Sequence, residues 1–211
     1  MRSVILIIST ITMCYSAILN GQIVIKAEAD KWTAQNIDVT YKDSVIHVMR
    51  KSDAAAILWL NDIIIRNGII DLDIRGNDKD GQSFLGVAFH GISNENYDAV
   101  YFRPFNFRNS EKMSRSIQYI SKPDYDWDNL REKHPGKYED AVKPVPDPND
   151  WFHAKIVIQF PIIEIFINDS KEPSFMVEKI SKRRDGKIGL WIDSKDGWFK
   201  NMVVTPAAPS Q

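Results

Sequence analysis

Short stretches rich in Val, Ile, Phe and Tyr follow one another along most of this chain, separated by clusters of Gly, Asn, Asp and Pro. Apolar runs bounded by turn-forming residues are typical of β-strands. The runs predicted to be strands are 44–50, 57–62, 68–76, 84–91, 98–104, 116–121, 152–160, 162–169, 187–193 and 198–206. Sustained helical periodicity is missing after the N-terminal leader, and 178–186 is expected to form one helical turn at most. Because a half-buried sheet needs a second sheet over its apolar face, the pattern predicts an all-β antiparallel sandwich or barrel.

The composition indicates a single folded domain. Of the 211 residues, 44% are hydrophobic, which is enough for one sizeable core. The 27 Lys and Arg residues are balanced by 28 Asp and Glu residues, so no global field attracts nucleic acid or an anionic membrane surface. A partner must therefore be selected by local chemistry, and nucleic acid is not expected among the partners.

The N-terminal residues have the pattern of a secretory signal peptide. Arg2 precedes an apolar run that ends at Met13, and small and polar residues follow. This run is shorter than the ~20 residues of a spanning helix, so no membrane span is expected. We expect a signal peptide at 1–21, a folded domain at 22–205 and a disordered tail at 206–211. The mature protein is then secreted, or located in the periplasm or at the cell surface.

The only cysteine, Cys14, lies inside this leader. Cleavage on its C-terminal side would leave the mature protein without a disulfide, a thiol nucleophile or a thiolate metal site. A lipid anchor on Cys14 is disfavoured, because Met13 stands where a lipoprotein signal has a small residue.

The stretch NYDAVYFRPFNF, residues 96–107, contains an arginine among alternating aromatic residues. The two-residue period of a strand puts Tyr97, Tyr101 and Arg103 on one face. Pro104 would end or offset the strand, so Arg103 is expected near the margin of a sheet, where loops gather. We expect Arg103 to meet a ligand at the rim of an aromatic face.

Other aromatic and amide side chains extend this constellation. Aromatic rings stack on the apolar faces of sugars, while Arg and Gln side chains bind hydroxyl groups through planar hydrogen-bonding groups. The predicted ligand-binding residues are Tyr97, Tyr101, Arg103, Gln118, Tyr119, Trp127 and Tyr138, with Trp191 as a further member of the constellation. Tyr138 belongs to the long irregular segment 122–150, which is expected to form an ordered lid. The alternative for each ring is a place in the core, the commoner use of large apolar side chains.

The candidates for catalysis are His90, Asp73 and Arg103. His90 ends a strand shortly before the aromatic stretch and could stand beside its polar face as an acid or base. Asp71 and Asp73 share a strand face at a separation compatible with a glycosidase carboxylate pair. The alternative is a solvated strand face on which Arg75 is their salt-bridge partner.

A metal site is not predicted. The histidines have no HxH or HxxxH spacing, and His47 and His153 are expected to be structural. The segment NDKDGQ, 77–82, could be interpreted as a calcium-binding loop, but a hairpin turn through Asp80-Gly81 explains it better. No cofactor is expected, and calcium is kept as a weakly supported alternative.

Several blocks of the chain carry a family pattern: Tyr101–Pro104, the Gln118-Tyr119 pair, Trp151, Ile165–Asn168, Gly189-Leu190 and Phe199-Lys200-Asn201. With these blocks, the chain from Trp32 to Val204 resembles the concanavalin A-like lectin/glucanase superfamily. In particular, it resembles the laminin-G-like domain of the bacterial 3-keto-disaccharide hydrolase group. The resemblance implies a two-sheet antiparallel jelly-roll β-sandwich whose loops commonly meet carbohydrate. The superfamily's glucanases carry a Glu-x-Asp-x-x-Glu strand, whereas Asp71 and Asp73 stand here without either glutamate, so endo-glucanase action is not expected.

The favoured function is that of a secreted protein that binds carbohydrate along an aromatic and polar groove. A second hypothesis is a glycoside hydrolase or lyase-like enzyme acting on a 3-keto disaccharide or another modified sugar. In that enzyme His90 or Asp73 would be the base, and Arg103 would stabilise developing negative charge. A third hypothesis is a non-catalytic structural or interaction module whose aromatic residues belong to the core.

Overall fold

The computed structural model describes residues 21–52 and 55–208. Apart from Gly21, the predicted signal peptide lies outside the described residues, as does the end of the predicted tail from 209. The strands are β1 Ile23–Val24, β2 Trp32–Gln35, β3 Ile37–Lys42, β4 Val45–Arg50, β5 Ala56–Ile65, β6 Gly68–Arg75, β7 Leu85–Ser93, β8 Asn96–Phe102, β9 Ile117–Ser121, β10 Glu139–Asp140, β11 Phe152–Gln159, β12 Ile162–Ile167, β13 Phe175–Glu178, β14 Gly186–Ile192 and β15 Asp196–Pro206. The helix α1 spans Trp127–Lys133, and 3₁₀ turns span Ala29–Lys31, Pro104–Asn106 and Met113–Arg115.

The strands form two sheets, and the pairings among the described residues are antiparallel. The eight-stranded sheet has the order β13-β12-β11-β6-β15-β4-β3, with β1 added beside β15. The seven-stranded sheet has the order β10-β9-β8-β7-β14-β5-β2. The two-sheet antiparallel jelly-roll sandwich is therefore confirmed, and the barrel alternative is wrong.

Alternation along the strands places the core between the two sheets. On β6, Ile70, Leu72 and Ile74 are buried, whereas the intervening Asp71 and Asp73 are partly exposed. This two-residue period is that of a sheet with one dry and one wet face. Across the interior, the rings of Phe102 on β8 and Phe152 on β11 meet edge to face at 5.0 Å. Such aromatic contacts bury large apolar areas and hold the sheets together.

The middle of the seven-stranded sheet departs from this pattern, because β8 and β9 are buried on both faces. Tyr97, Ala99 and Tyr101 on the outer face of β8 are as inaccessible as Val100 and Phe102 on its core face. The chain that leaves β8 forms two 3₁₀ turns and, after β9, the helix α1, which contacts β9. These irregular segments cover part of the outer face and make a recess there.

All ten predicted strands are present, but the sequence patterns missed other elements. The strands β1, β2, β3, β10 and β13 were not predicted, and the segment 178–186, for which one helical turn at most was expected, contains no helix. Helix α1 lies in the segment 122–150 that was predicted to be an irregular but ordered lid. Its seven residues make about two turns, too few for an apolar period to show.

A buried charge cluster joins β8 to the chain that follows β13. The carboxylate of Asp98 points into the core, where Lys179 Nζ lies 3.0 Å away and both side chains are fully buried. Arg183 lies 3.2 Å from the same carboxylate, and the Tyr119 hydroxyl donates to it at 2.6 Å. Burial alone would raise the pKa of Asp98, but Lys179 and Arg183 outweigh it and hold the pKa below its usual value. The ion pair therefore links the seven-stranded sheet to the edge strand of the eight-stranded sheet.

Replacing Asp98 by Asn should be strongly destabilising. The change leaves the Lys179 ammonium in a dry site without its counter-charge, which typically costs about 3–5 kcal/mol. Urea unfolding followed by tryptophan fluorescence would measure the loss.

The matched control is Asp38→Asn, because Asp38 forms an exposed ion pair with Lys51 at 2.8 Å. An exposed pair contributes about 1 kcal/mol or less, so this control should unfold close to wild type. Equal losses in the two variants would contradict the structural role assigned to Asp98.

Candidate functional site

A pocket of about 430 Å³ opens on the outer face of the seven-stranded sheet. Its floor is formed by Tyr97 and Tyr101 from β8, Ile120 from β9 and Trp191 from β14. Its walls come from the irregular segments and loops, with Phe84, Arg103, Phe105, Lys112, Arg115, Lys122, Asp126, Trp127, Arg131 and Asp193 among the lining residues. The size falls within the range of roughly 300–1,000 Å³ usual for small-molecule sites.

Glycine opposite the floor lets the aromatic side chains lie close to the sheet. Gly86 of β7 pairs with Tyr101 of β8, and a Cβ at position 86 would lie 2.9 Å from the Cβ of Tyr101. It would also lie 2.1 Å from the Val100 carbonyl oxygen. A side chain at this position would displace β8 and the tyrosine that it carries.

The aromatic residues of the floor form a continuous row. The Trp191 indole donates a hydrogen bond of 3.0 Å to the Tyr97 hydroxyl and stacks on Tyr101 with 4.6 Å between ring centroids. Tyr97 meets Trp59 edge to face at 6.3 Å, and Tyr101 meets Phe84 in the same way and at the same distance. Burial raises the pKa of Tyr97 to about 12, so its hydroxyl stays protonated near neutral pH. The row therefore forms a closely packed, neutral floor for the pocket.

Arg103 lies at the end of this row and is held mainly by neutral acceptors. Its guanidinium donates to the Tyr101 hydroxyl at 2.7 Å, to the Gln118 side-chain oxygen at 3.3 Å and to the Arg115 carbonyl at 2.8 Å. A carboxylate oxygen of Glu139 lies 4.0 Å away. Burial lowers the pKa of Arg103, which nevertheless remains a cation. The fold therefore fixes one rigid, charged donor group at the pocket.

Helix α1 carries the most exposed aromatic ring of the pocket. Trp127 is 44% exposed at the first position of the helix, where the preceding Asp126 side chain accepts a hydrogen bond from its backbone N–H. Asp126 also pairs with Lys122 at 2.7 Å. The Arg131 guanidinium lies 4.9 Å from the centroid of the indole, one helical turn further on. Trp127 thus presents free ring surface with both signs of charge nearby.

Four of the predicted ligand-binding residues line the pocket: Tyr97, Tyr101, Arg103 and Trp127. Gln118 lies behind Arg103, and its amide nitrogen donates to the carbonyl oxygens of Tyr119 and Tyr138. Tyr119 faces the core, because neighbouring residues of a strand point to opposite faces. Tyr138 is also buried, with its ring 5.7 Å from that of Tyr119, so it does not cover the pocket.

The structure places His90 away from the pocket, in the buried charge cluster. Its Nε2 contacts the Arg66 carbonyl oxygen at 2.9 Å, and its Nδ1 contacts Lys179 Nζ. Burial and the nearby Lys179 lower the pKa of His90 to about 4, so the ring is neutral at ordinary pH. Because Nδ1 lies against an ammonium group, it acts as a hydrogen-bond acceptor for Lys179.

Asp73 lies on the outer face of the eight-stranded sheet, the opposite side of the sandwich from the pocket. His153 bridges the acid pair, with Nε2 2.6 Å from Asp71 and Nδ1 2.9 Å from Asp73. Asn201 donates to the second oxygen of Asp73 at 2.8 Å. The hydrogen bond to Asp71 is the largest of the effects that raise the pKa of His153 to about 9. The carboxylate pair is therefore bound to a histidine cation.

Sequence patterns did not identify several residues of the pocket. Arg131 belongs to a helix too short to show a period and Asp126 directly precedes that helix, while Asp193 is the last residue of a predicted strand and has no motif around it. Phe84 and Phe105 are partly exposed next to the row, with their rings 5.2 Å apart. The available signal for Phe105 was its place in the aromatic stretch that contains Arg103.

Within the described ranges 21–52 and 55–208, no group of three or more His, Cys, Asp or Glu side chains could hold a metal ion. The Asp80 carboxylate of the NDKDGQ segment pairs with Lys112 at 3.1 Å, and Asp80 and Gly81 lie in a turn. In the same part of the chain, no helix is long and apolar enough to cross a membrane.

Comparison with known sequences gives the family. The model of the 3-keto-alpha-glucoside-1,2-lyase-like domain matches residues 15–205, which is most of the chain. The chain belongs to this family. No curated protein sequence matches it.

Solved structures similar to this 3-keto-alpha-glucoside-1,2-lyase-like domain share its fold at low sequence identity. The carbohydrate-binding module CBM66 from Bacillus subtilis is 14% identical, with a TM-score of 0.60 over 82% of this chain and 93% of the module. A protein of unknown function with a galectin-like fold, also from Bacillus subtilis, is 14% identical, with a TM-score of 0.58 over 91% and 94%. The exoplasmic/lumenal domain of VIP36, bound to Ca²⁺ and Man3GlcNAc, is 10% identical, with a TM-score of 0.56 over 90% of each chain. The concanavalin A-like sandwich is thus confirmed.

The His153 bridge should stabilise the fold in a pH-dependent way. A folded-state pKa of about 9, above the ordinary value, means that the protonated ring favours the folded state. This contribution is fully present below about pH 6.5 and is lost as the pH rises through about 9. We expect His153→Gln to lower the free energy of unfolding by about 1 kcal/mol at neutral pH, since the site is partly exposed.

Urea unfolding of both proteins between about pH 6 and about pH 10 would test this. The gap between variant and wild type should narrow across that range. A gap that stays constant with pH would contradict a protonated bridge.

Proposed function

We propose that the chain is a secreted carbohydrate-binding protein that holds a glycan in the pocket on the outer face of its seven-stranded sheet. The observation that carries the proposal is the joining of an aromatic floor to a charged and polar wall in one recess. Sugars present apolar ring faces and a rim of hydroxyl groups, so a site for them needs both kinds of surface. The export of the protein, which rests on the leader sequence, is part of this proposal.

Residues of the pocket can be assigned to both the apolar and the polar part of such a site. Trp127 supplies exposed ring surface, and Phe84 adds a partly exposed ring on another wall. Arg103 supplies fixed planar donors, while Asp126 and Asp193 supply carboxylate acceptors. Because Tyr101 and Gln118 hold Arg103 in place, little side-chain entropy is lost when it binds a hydroxyl group.

The row of aromatic rings favours a ligand longer than one sugar. Trp59 lines a second, polar recess of about 660 Å³, and its ring touches Tyr97 of the first pocket. Thr33, Gln35 and Asn94 also line this second recess, where Asn94 accepts a hydrogen bond of 2.7 Å from the Trp59 indole. An oligosaccharide lying along the row would contact both recesses.

The known proteins of this fold support the same class of ligand. One is a carbohydrate-binding module, and another was solved with a bound mannose-containing glycan. Sandwiches of this kind present loops and sheet faces on which a sugar site can be built, although the fold alone does not assign one.

A second candidate function is enzymatic cleavage of a modified sugar, and it is favoured by the lyase-like description of the family. The pocket contains one carboxylate suited to proton abstraction, because burial raises the pKa of Asp193. Arg103 would stabilise the negative charge that develops on the sugar. Neither His90 nor Asp73 lines the pocket, so the catalytic roles first assigned to them pass to Asp193 in this proposal.

Replacing Trp127 by Ala should weaken glycan binding without unfolding the protein. The ring is 44% exposed, so its loss leaves no cavity in the core. Removal of a tryptophan that stacks on the ligand typically costs about 1.4 kcal/mol or more, which is about tenfold in affinity. A glycan array identifies the ligand, and calorimetric titration then compares the variant with wild type.

Trp151→Ala is the matched control, because Trp151 is partly exposed on the outer face of the other sheet, between Arg75 and Lys200. It should bind the glycan as wild type does. Binding to no glycan would overturn the proposal in favour of an interaction module. Mass spectrometry of the incubated glycan would reveal turnover, and loss of the product in Asp193→Asn would support the enzyme.

A further inference from the structure

One end of the pocket contains more positive than negative charge. Glu139, on β10, is almost fully buried and accepts two hydrogen bonds from Arg131 Nε, at 3.0 and 3.2 Å. Arg115 Nε lies 3.9 Å from the same carboxylate, and Arg103 Nη1 lies 4.0 Å from it. Three guanidinium groups therefore share a single carboxylate, and two positive charges are left unbalanced.

The remaining acids of the pocket do not make up this difference. Asp80 pairs with Lys112, Asp126 pairs with Lys122, and Asp193 pairs with Arg50. Each of these carboxylates is thus matched by its own cation. In the part of the chain that the structure describes, Glu139 is the only carboxylate within 4.0 Å of the three arginines.

All three guanidinium groups are positioned to reach a ligand. Arg103, Arg115 and Arg131 line the pocket, and the Arg115 side chain is half exposed. Arginine is suited to such a task because its planar fork matches the two oxygens of a carboxylate or sulfate. The burial of Arg103 and the partial burial of Arg131 beside a low-dielectric aromatic floor strengthen their field at the pocket relative to that of an exposed arginine.

We propose that the arginine cluster of residues 103, 115 and 131 binds the anionic group of an acidic saccharide, either the carboxylate of a uronic acid or a sulfate ester. This inference rests on the proposed glycan-binding function and specifies its ligand. The anionic group supplies the negative charge that the cluster lacks, while the rest of the sugar lies toward Tyr101 and Trp191.

The test compares acidic glycans with their own neutral forms. A glycan array containing uronate-bearing, sulfated and neutral oligosaccharides is read at low salt. Each acidic glycan that binds is then titrated beside its carboxyl-reduced or desulfated form. We expect the acidic form to bind at least tenfold more tightly, and the difference to shrink between about 0.05 and 0.5 M NaCl. Loss of affinity on reduction identifies a uronate, and loss on desulfation identifies a sulfate ester.

The variant Arg115→Gln separates this inference from general charge attraction. It should reduce the affinity for the acidic glycan about tenfold while leaving the affinity for its neutral form unchanged. Arg108→Gln is the matched control, since Arg108 is similarly exposed, pairs with Asp147 at 3.3 Å and does not line the pocket. It should behave as wild type, and an equal effect of both variants would overturn the cluster's role.

The outcomes also distinguish this inference from the proposed function. Equal binding of acidic and neutral forms would overturn the acidic preference and leave carbohydrate binding intact. Binding to neither form, by a folded protein, would overturn the proposed function and this inference together.

Discussion

The burial of strand β8 on both faces is the constraint on which the candidate site depends. Its core face must supply apolar and charge-paired side chains to the interior, as Val100, Phe102 and Asp98 do. Its outer face is covered in large part by loops, turns and a short helix. These segments exclude water from most of the face and leave the recess that forms the candidate site. The same alternation that packs Phe102 against the other sheet therefore directs Tyr97 and Tyr101 into the recess.

Two buried charged residues, one on this strand and one just after it, have different roles in the fold. Asp98 is fully buried among cations and hydrogen-bond donors and lines neither of the recesses described above, so its ion pairs stabilise the sandwich. Arg103, a few residues later, is also buried, but it lines a recess. If shifted pKa values were the only criterion, His90 and Asp98 would have been chosen as functional residues. Access to a cavity is what separates Arg103 from them.

Much of the fold could be predicted from the sequence, because strand periodicity is a local property. The runs that became β6 and β11 have period-two alternation, and this is enough to indicate sheets that need to be covered. The common face of Tyr97, Tyr101 and Arg103 was predictable for the same reason. Alternation also excludes a shared face for Gln118 and Tyr119, which are neighbours on one strand. The short strands β2 and β10 gave no such signal, since their four and two residues are too few for a period to show.

The rest of the site depends on tertiary contacts that no local pattern contains. Glu139, Arg131 and Arg115 come from a short strand, a short helix and a 3₁₀ turn, and only the folded chain brings them together.

The charge of the pocket can likewise be known only from the folded chain. The chain as a whole is nearly neutral, with a formal net charge of −1. Fields in physiological salt decay over about 8–10 Å, so a ligand in the pocket responds to the charges that surround it and hardly to the total. Three arginines that share one buried carboxylate can therefore make a cationic site in a weakly acidic protein. The positive charge of the pocket depends on which side chains the fold brings together. The composition of the chain alone would have argued against a cationic site.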